Sequence, residues 1–135
     1  MRAEAFFDTS VLIYIVTDDE WRSGIAARVL QGGGVVSAQV LSEFVSVSRR
    51  KMRQEWHKIR QDLLDIRSLC GPVQPITLET HEEALSIAQR YGYHIYDSLM
   101  IAAALEAGCT TLYAEDMQDG QVIGALTIRN PFLMS

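Results

Sequence analysis

Short apolar segments that stop at an acidic residue, alternating with longer stretches of helical spacing, are what most constrains this chain. Ala5-Phe6-Phe7 runs into Asp8, and Leu112-Tyr113-Ala114 runs into Glu115-Asp116. Val35-Val36-Ser37 precedes Glu43 by less than two helical turns, and Ile95-Tyr96 precedes Asp97. Short strands that alternate with helices bury both only as a mostly parallel sheet with helices on its two faces. Ligands of such sheets bind beyond the carboxyl ends of the strands. Asp8, Glu43, Asp97 and Asp116 can therefore converge on one edge.

The elements read as follows. A first strand covers about Glu4 to Phe7, and Thr9 and Ser10 open a helix through Val16. Asp18-Asp19-Glu20 has the acidic, capped look of a helix start, and that second helix is predicted to end near Leu30. Gly32-Gly33-Gly34 is a turn; it lacks the lysine of a phosphate-binding loop. Residues 35–37 form a short buried strand. Residues 38–69 contain neither Pro nor Gly and read as helical throughout; a break between two helices near residues 52–55 stays open, although no residue there forces one. Val40, Phe44 and Val47 mark one apolar face, and Met52, Trp56, Ile59, Leu63 and Ile66 continue it at a spacing of three or four. Val73 to Thr77 is a strand that Pro75 confines to an edge or bulge. Helices follow at Glu79 to Tyr91, capped by Gly92, and at Asp97 to Ala107. Strands at Thr110 to Ala114 and Ala125 to Arg129 complete an α/β pattern expected to form a single domain over residues 1–135.

Hydrophobic residues make up 48% of the chain and charged residues 21%, as in folded globular proteins. No apolar run approaches the ~20 residues that span a bilayer. Asp8 and the Asp18-Asp19-Glu20 triplet interrupt what would otherwise resemble a signal peptide. The expected location is the cytoplasm, with no membrane partner. Cys70 and Cys109 form no metal-ligand spacing and read as semi-buried thiols in a reducing compartment.

The net charge is −5, but its distribution matters more than its sum. Residues 1–67 carry ten basic and nine acidic side chains, and residues 68–135 carry two basic and eight acidic. Six of the twelve basic residues fall between Arg49 and Arg60. An acidic total of this kind leaves RNA open as a substrate.

Each of the four acids has a structural explanation when taken alone. Asp8 and Asp97 are candidate helix caps, Asp116 is a candidate turn residue, and Glu43 on an apolar face would need a buried Arg. Together they are harder to dismiss. Two carboxylates ~5 Å apart repel by about 3 kcal/mol at an effective dielectric of ~20, and four make six such pairs. Oxygen ligands at the end of a parallel sheet suit Mg²⁺ or Mn²⁺. A divalent ion there activates water and stabilises a phosphate oxyanion.

At these residues the chain resembles a PIN-domain ribonuclease, and specifically a VapC-type toxin of a type II toxin–antitoxin pair. The resemblance rests on Phe-Asp8-Thr-Ser, Ser-Glu43-Phe, Tyr-Asp97-Ser-Leu-Met-Ile-Ala-Ala-Ala and Glu-Asp116-Met-Gln-Asp-Gly, in that order, and on the closing Ile-Arg-Asn-Pro-Phe. It implies a PIN-like three-layer fold and Mg²⁺-dependent endoribonuclease activity, with tRNA or another structured RNA as substrate. It also implies that Asp8, Glu43, Asp97 and Asp116 surround the metal and catalyse, and that the partners are a second copy of the chain and a small antitoxin. The chain departs from the family pattern at Ala114, where a Ser or Thr commonly stands. Asp119 is therefore kept as a candidate helper or substitute for Asp116.

Arg49, Arg53, His57 and Arg60 recur at helical spacing, as a solvated helix face or as contacts to an RNA backbone. Trp56 fits the apolar seam or a dimer interface, and Tyr93 and Tyr96 fit core packing beside the site. A haloacid-dehalogenase-type phosphatase would need an acid where Ser10 stands. It would also need a downstream Lys or Arg near the site, and a phosphorylated receiver domain a downstream Lys; no Lys follows Lys58. The alternative from another class is a PIN-like module that binds RNA or protein without cutting it.

Overall fold

The computed structural model describes residues 4–133. Strand β1 (Ala5–Phe7) leads into α1 (Thr9–Ile15) and α2 (Glu20–Gln31). The short β2 (Val36–Ser37) leads into α3 (Ala38–Arg50) and α4 (Trp56–Leu69). After β3 (Val73–Gln74) come α5 (Leu78–Tyr91) and α6 (Ile95–Glu106), then β4 (Thr111–Tyr113), β5 (Val122–Ile123), β6 (Leu126–Arg129) and a 3₁₀ turn at Pro131–Leu133.

The main sheet has the order β1-β4-β6-β5, parallel except for the antiparallel β5–β6 hairpin. Strand β2 pairs in parallel with β3 and reaches β1 through bonds between Val35 and both Ala5 and Phe7. The helices flank this sheet as the α/β alternation predicts. Phe6, Phe7, Leu12, Phe44, Ile101, Leu112, Leu126 and Ile128 are fully buried between the layers. Phe7 lies opposite Tyr113 in the β1–β4 register, so the ends of both strands open on the same edge.

Two glycines matter to this arrangement. Gly92 ends α5 in the left-handed conformation with φ 79°, which glycine adopts without steric cost. Gly34 lets the turn before β2 press against β1. A Cβ there would sit 2.5 Å from the Phe7 ring and 2.7 Å from the Ala5 carbonyl oxygen. Because a backbone atom cannot rotate away, Gly34→Ala is expected to cost about 1–3 kcal/mol. A urea titration with unchanged slope and a lowered midpoint checks this.

Several expectations need correction. Residues 38–69 are two helices, which decides for the break left open near residues 52–55. Helix α3 stops at Arg50, Arg53 adopts a left-handed φ of 54°, and α4 restarts at Trp56. No Gly or Pro causes the break; the backbone closes itself. Lys51 and Met52 N–H both donate to Val47 O, and Gln54 N–H donates to Ser48 O. The overlooked signal was charge. Arg49 and Arg50 stand in the last turn of α3 and Glu55 at the start of α4, the order that helix dipoles favour. Because the helical phase restarts after the break, Trp56 leaves the seam and is 53% exposed. The buried face of α4 is Ile59, Asp62 and Ile66, with Asp62 held by Lys58 Nζ at 2.6 Å.

Strand β3 is only Val73–Gln74, because the chain leaves the ladder before Pro75. Helix α6 begins at Ile95, so Asp97 lies within its first turn and does not cap it. The hairpin strand β5 carries no alternating apolar pattern, and the sequence reading missed it. Cys70 and Cys109 are free and buried, and burial pushes both thiols up to about 11.

Candidate active site

Sheet register and helix starts bring the predicted acids to one edge. Asp8 is the residue after β1. Its N–H donates to Tyr113 O at 3.0 Å, which extends the β1–β4 ladder by one step and fixes the Asp8 backbone. Its side chain caps α1: Oδ2 accepts from Ser10 N at 3.2 Å and from Ser10 Oγ at 2.7 Å. The cap reading of Asp8 is thus correct and does not compete with a site role, because one carboxylate has lone pairs for both.

Glu43 projects from the middle of α3, a helix that Ser37 caps at the end of β2. No arginine accompanies it. Thr9 Oγ1 donates to Oε1 at 3.0 Å, and Gln39 Nε2 donates to Oε2 at 2.8 Å. The same Gln39 nitrogen donates to Tyr96 O at 3.0 Å, which ties α3 to the first turn of α6, where Asp97 stands. Asp116 follows β4 by three residues and is exposed.

The acids act on one another electrostatically. Burial pushes Asp8 up to about 6, against the two Ser10 hydrogen bonds that pull it down, and the charges of Asp97 and Glu43 add to the rise. Asp8 is only 8% exposed, so water screens it weakly. Burial likewise raises Asp97; the neighbouring His94 opposes the rise, while Glu43 and Asp116 add to it. None of the four acids has a Lys, Arg or His within salt-bridge distance among the described residues. No three His, Cys, Asp or Glu side chains among the described residues are close enough to share one ion in this arrangement. Asp8 and Glu43 turn instead to neutral donors, the arrangement that mutual repulsion favours.

Adjacent acids divide their tasks. Glu115 faces away from this edge and accepts from Tyr14 Oη at 2.7 Å and Arg22 Nε at 3.1 Å. The Glu115 hydrogen bond drives Tyr14 up to about 12. Arg22 also pairs with Asp19 at 3.1 Å. Asp119 accepts from Asn130 N at 2.8 Å, and Asn130 Nδ2 donates to Glu115 O at 3.2 Å, so Asp119 braces the loop. It is Asp116, not Asp119, whose charge acts on Asp97.

Ser10 Oγ, already bonded to Asp8, also accepts a long 3.4 Å bond from Glu115 N. A hydroxyl thus joins the two strand-end loops even though Ala114 has none. Tyr93 is not simply core: its hydroxyl accepts from Gln118 N and donates to Gln121 Oε1. Tyr96 is exposed, with His94 stacked beside it.

The supporting roles of Thr9, Ser10 and Gln39 escaped the sequence reading. Gln39 stands one helical turn before Glu43, and that spacing was the available signal. Neutral groups that orient ligating acids are typically worth about 10–100-fold in metal affinity. Thr9→Val is therefore expected to weaken Mn²⁺ binding by that factor, read by calorimetric titration, with the melting temperature in EDTA little changed.

Comparison with known proteins bears on what this edge does. The family profile for the PIN domain matches residues 5–119. Comparison with curated proteins gives no match. Among solved structures, the chain is similar to a toxin–antitoxin complex from Klebsiella pneumoniae, with a TM-score of 0.72 at 20% identity, covering 95% of this chain and 98% of that one. It is similar to VapC20 of Mycobacterium tuberculosis, a sarcin–ricin-loop-cleaving toxin, with a TM-score of 0.67 at 22% identity over 84% and 90% of the two chains. It is also similar to VapBC2 of Rickettsia felis bound to a promoter DNA fragment, with a TM-score of 0.66 at 16% identity over 93% and 97%. At these identities the likeness is one of fold.

Proposed function

The chain belongs to the PIN-domain family, and from that premise we propose that it is a divalent-metal-dependent endoribonuclease acting as the toxin of a toxin–antitoxin pair. One arrangement carries this reading: Asp8 and Glu43 share a strand-end edge with the first turn of α6, where Asp97 stands, their side chains are held by the neutral donors Ser10, Thr9 and Gln39, and none of the three acids has a Lys, Arg or His within salt-bridge distance among the described residues. Neighbouring carboxylates drawn out of water are costly unless a cation offsets their charge.

The donor set suits the group the family implies. All four candidate ligands are carboxylates, which matches Mg²⁺ and its Mn²⁺ substitute; to share one ion their side chains would have to turn inward from the arrangement described. Asp8, Glu43, Asp97 and Asp116 would hold the ion. Bound there, it supplies an activated water and neutralises charge on a phosphate oxygen. The protein's own groups do the rest. Thr9 and Gln39 fix both oxygens of Glu43, and Ser10 fixes the Asp8 oxygen that caps α1. The β1–β4 register holds the two strand-end loops side by side. Asp8, whose proton is retained up to about pH 6, must give it up before it can ligate, so activity should rise through that pH.

The proposed substrate is tRNA or another structured RNA, and the proposed partners are a small antitoxin and a second copy of the chain. The support is the family and the fold of the Klebsiella toxin–antitoxin complex. A cytoplasmic site of action agrees with the absence of any helix long and apolar enough to cross a membrane among the described residues. Incubation of total tRNA with protein and Mg²⁺, beside an Asp8→Asn variant, tests the activity. Fragments from the wild type alone support it. Binding without cutting by both would replace it with the non-catalytic module. A neighbouring reading frame encoding a short DNA-binding protein would support the toxin assignment.

A further inference from the structure

The turn between α3 and α4 gathers charge that the fold leaves uncompensated. Residues 49–60 hold six basic side chains and one acid in a chain of net charge −5. All six basic side chains are exposed. Lys58 pairs with Asp62, but none of Arg49, Arg50, Lys51, Arg53 or Arg60 has a carboxylate within salt-bridge distance among the described residues. In a protein with surplus acid, five unpaired cations in one place make a local positive field.

The same turn builds an aromatic ledge. The Arg49 guanidinium lies 4.9 Å from the centre of the Trp56 ring, and Arg49 Nη1 donates to Gln54 O at 3.0 Å. The Arg49 side chain is thereby tied across the turn, over an indole that remains 53% exposed. Arg53 is held at φ 54°, a conformation unfavourable for any residue with a Cβ. An exposed Trp backed by a guanidinium and ringed by free cations combines the two elements that bind unpaired nucleotides, a stacking platform and a phosphate-attracting surface.

Its position relates it to the candidate site. Arg50 is seven residues after Glu43 on α3, two turns further along the same helical stripe, or about 10 Å away at ~1.5 Å per residue. That is the span of about three stacked nucleotides at ~3.4 Å each.

We propose that the α3–α4 turn is an RNA-docking site in which Trp56, backed by Arg49, stacks an unpaired base, while Arg50, Lys51 and Arg53 hold phosphates about three nucleotides from the cleavage position. This rests on the reading of RNA as substrate. It selects within that class: the RNA must present a loop, bulge or end near the cut, because a fully paired helix offers no base to stack.

The test uses the full chain carrying Asp8→Asn, to prevent cutting, and three probes: a labelled twelve-nucleotide single-stranded RNA, an abasic oligomer of the same length, and inorganic polyphosphate. Trp56→Ala is expected to weaken RNA binding by about tenfold or more. It should leave the abasic and polyphosphate affinities unchanged, and Trp56→Phe should keep most of the RNA affinity. Arg50→Gln and Arg53→Gly should weaken all three probes and each lower the salt slope for the RNA by about 0.7. Arg53→Gly should also melt at or above its parent, because glycine accepts the left-handed turn, so weaker binding by that variant is not misfolding. RNA affinity unmoved by Trp56→Ala, equal losses on the abasic oligomer, or Trp56 variants that lose only binding to a protein partner would each overturn the proposal. RNA binding with these dependences by a wild-type protein that never cuts would remove the nuclease reading alone. Efficient cutting by Trp56→Ala and Arg53→Gly proteins that retain Asp8 would remove the docking site alone.

Discussion

Glu43→Gln is expected to lower RNA cleavage by about a thousandfold or more, which corresponds to ~4 kcal/mol of barrier, while the protein keeps its fold. Glu43 gives the cleanest separation of chemistry from structure. It caps no helix and has no ionic partner, and glutamine is isosteric: its amide oxygen can accept from Gln39 Nε2 while its NH2 donates to the Thr9 hydroxyl, which turns to accept. Single-turnover cleavage beside a circular-dichroism melt reads both halves. Cleavage within tenfold of wild type would remove Glu43 from the metal set. A collapsed fold would show that its bonds to α1 and along α3 are structural first.

The second large effect is a pH dependence of stability. Asp8 rises from its usual 3.8 to about 6 in the folded protein, first through burial. The folded state therefore holds this proton more tightly than the unfolded state does. Stability from this group is fully present below about pH 4 and is lost as pH climbs through about 6. The loss amounts to about 3 kcal/mol at ~1.4 kcal/mol per pH unit. Other acids shift the other way, as Asp19 does through its bonds with Arg22, so the informative quantity is a difference. In EDTA at pH 7, Asp8→Asn is expected to be more stable than wild type by up to that amount. The gap should close as pH falls toward 4. Asn caps a helix about as well as Asp, so the α1 start survives the change. Mn²⁺ should raise the wild-type melting temperature by mass action and raise the variant's much less. A variant that melts below wild type at pH 7 would mean that the cap bonds to Ser10 outweigh the buried charge.

These two experiments rest on different levels of information. Asp8, Glu43, Asp97 and Asp116 were visible as candidates because each acid stands in or beside an apolar segment, and apolar neighbours make an unpaired charge costly. The α/β alternation was visible for the same kind of reason: hydrophobic period and turn residues are local. What failed was also local in origin. The α3–α4 break comes from backbone closure around Arg53 without Gly or Pro, so the sequence left it open without deciding it, and unbroken helical periodicity placed Trp56 on the apolar seam. The start of α6 at Ile95 could not be read because His94 supplies no side-chain cap.

The chain's pattern alone determined the layered fold, the strand ends and the four acids that a strand-end cleft would gather. Only the folded arrangement decided which of the neighbouring acids are engaged elsewhere. Glu115 goes to Tyr14 and Arg22, and Asp119 goes to Asn130, across separations of 101, 93 and 11 residues. Tertiary structure likewise assigned Thr9, Ser10 and Gln39 to orient Asp8 and Glu43, and set Trp56 on the surface beneath Arg49. The physical reason is that burial preference is a property of each residue and its near neighbours, whereas a hydrogen-bond partner is a property of the distance between segments that only packing brings together.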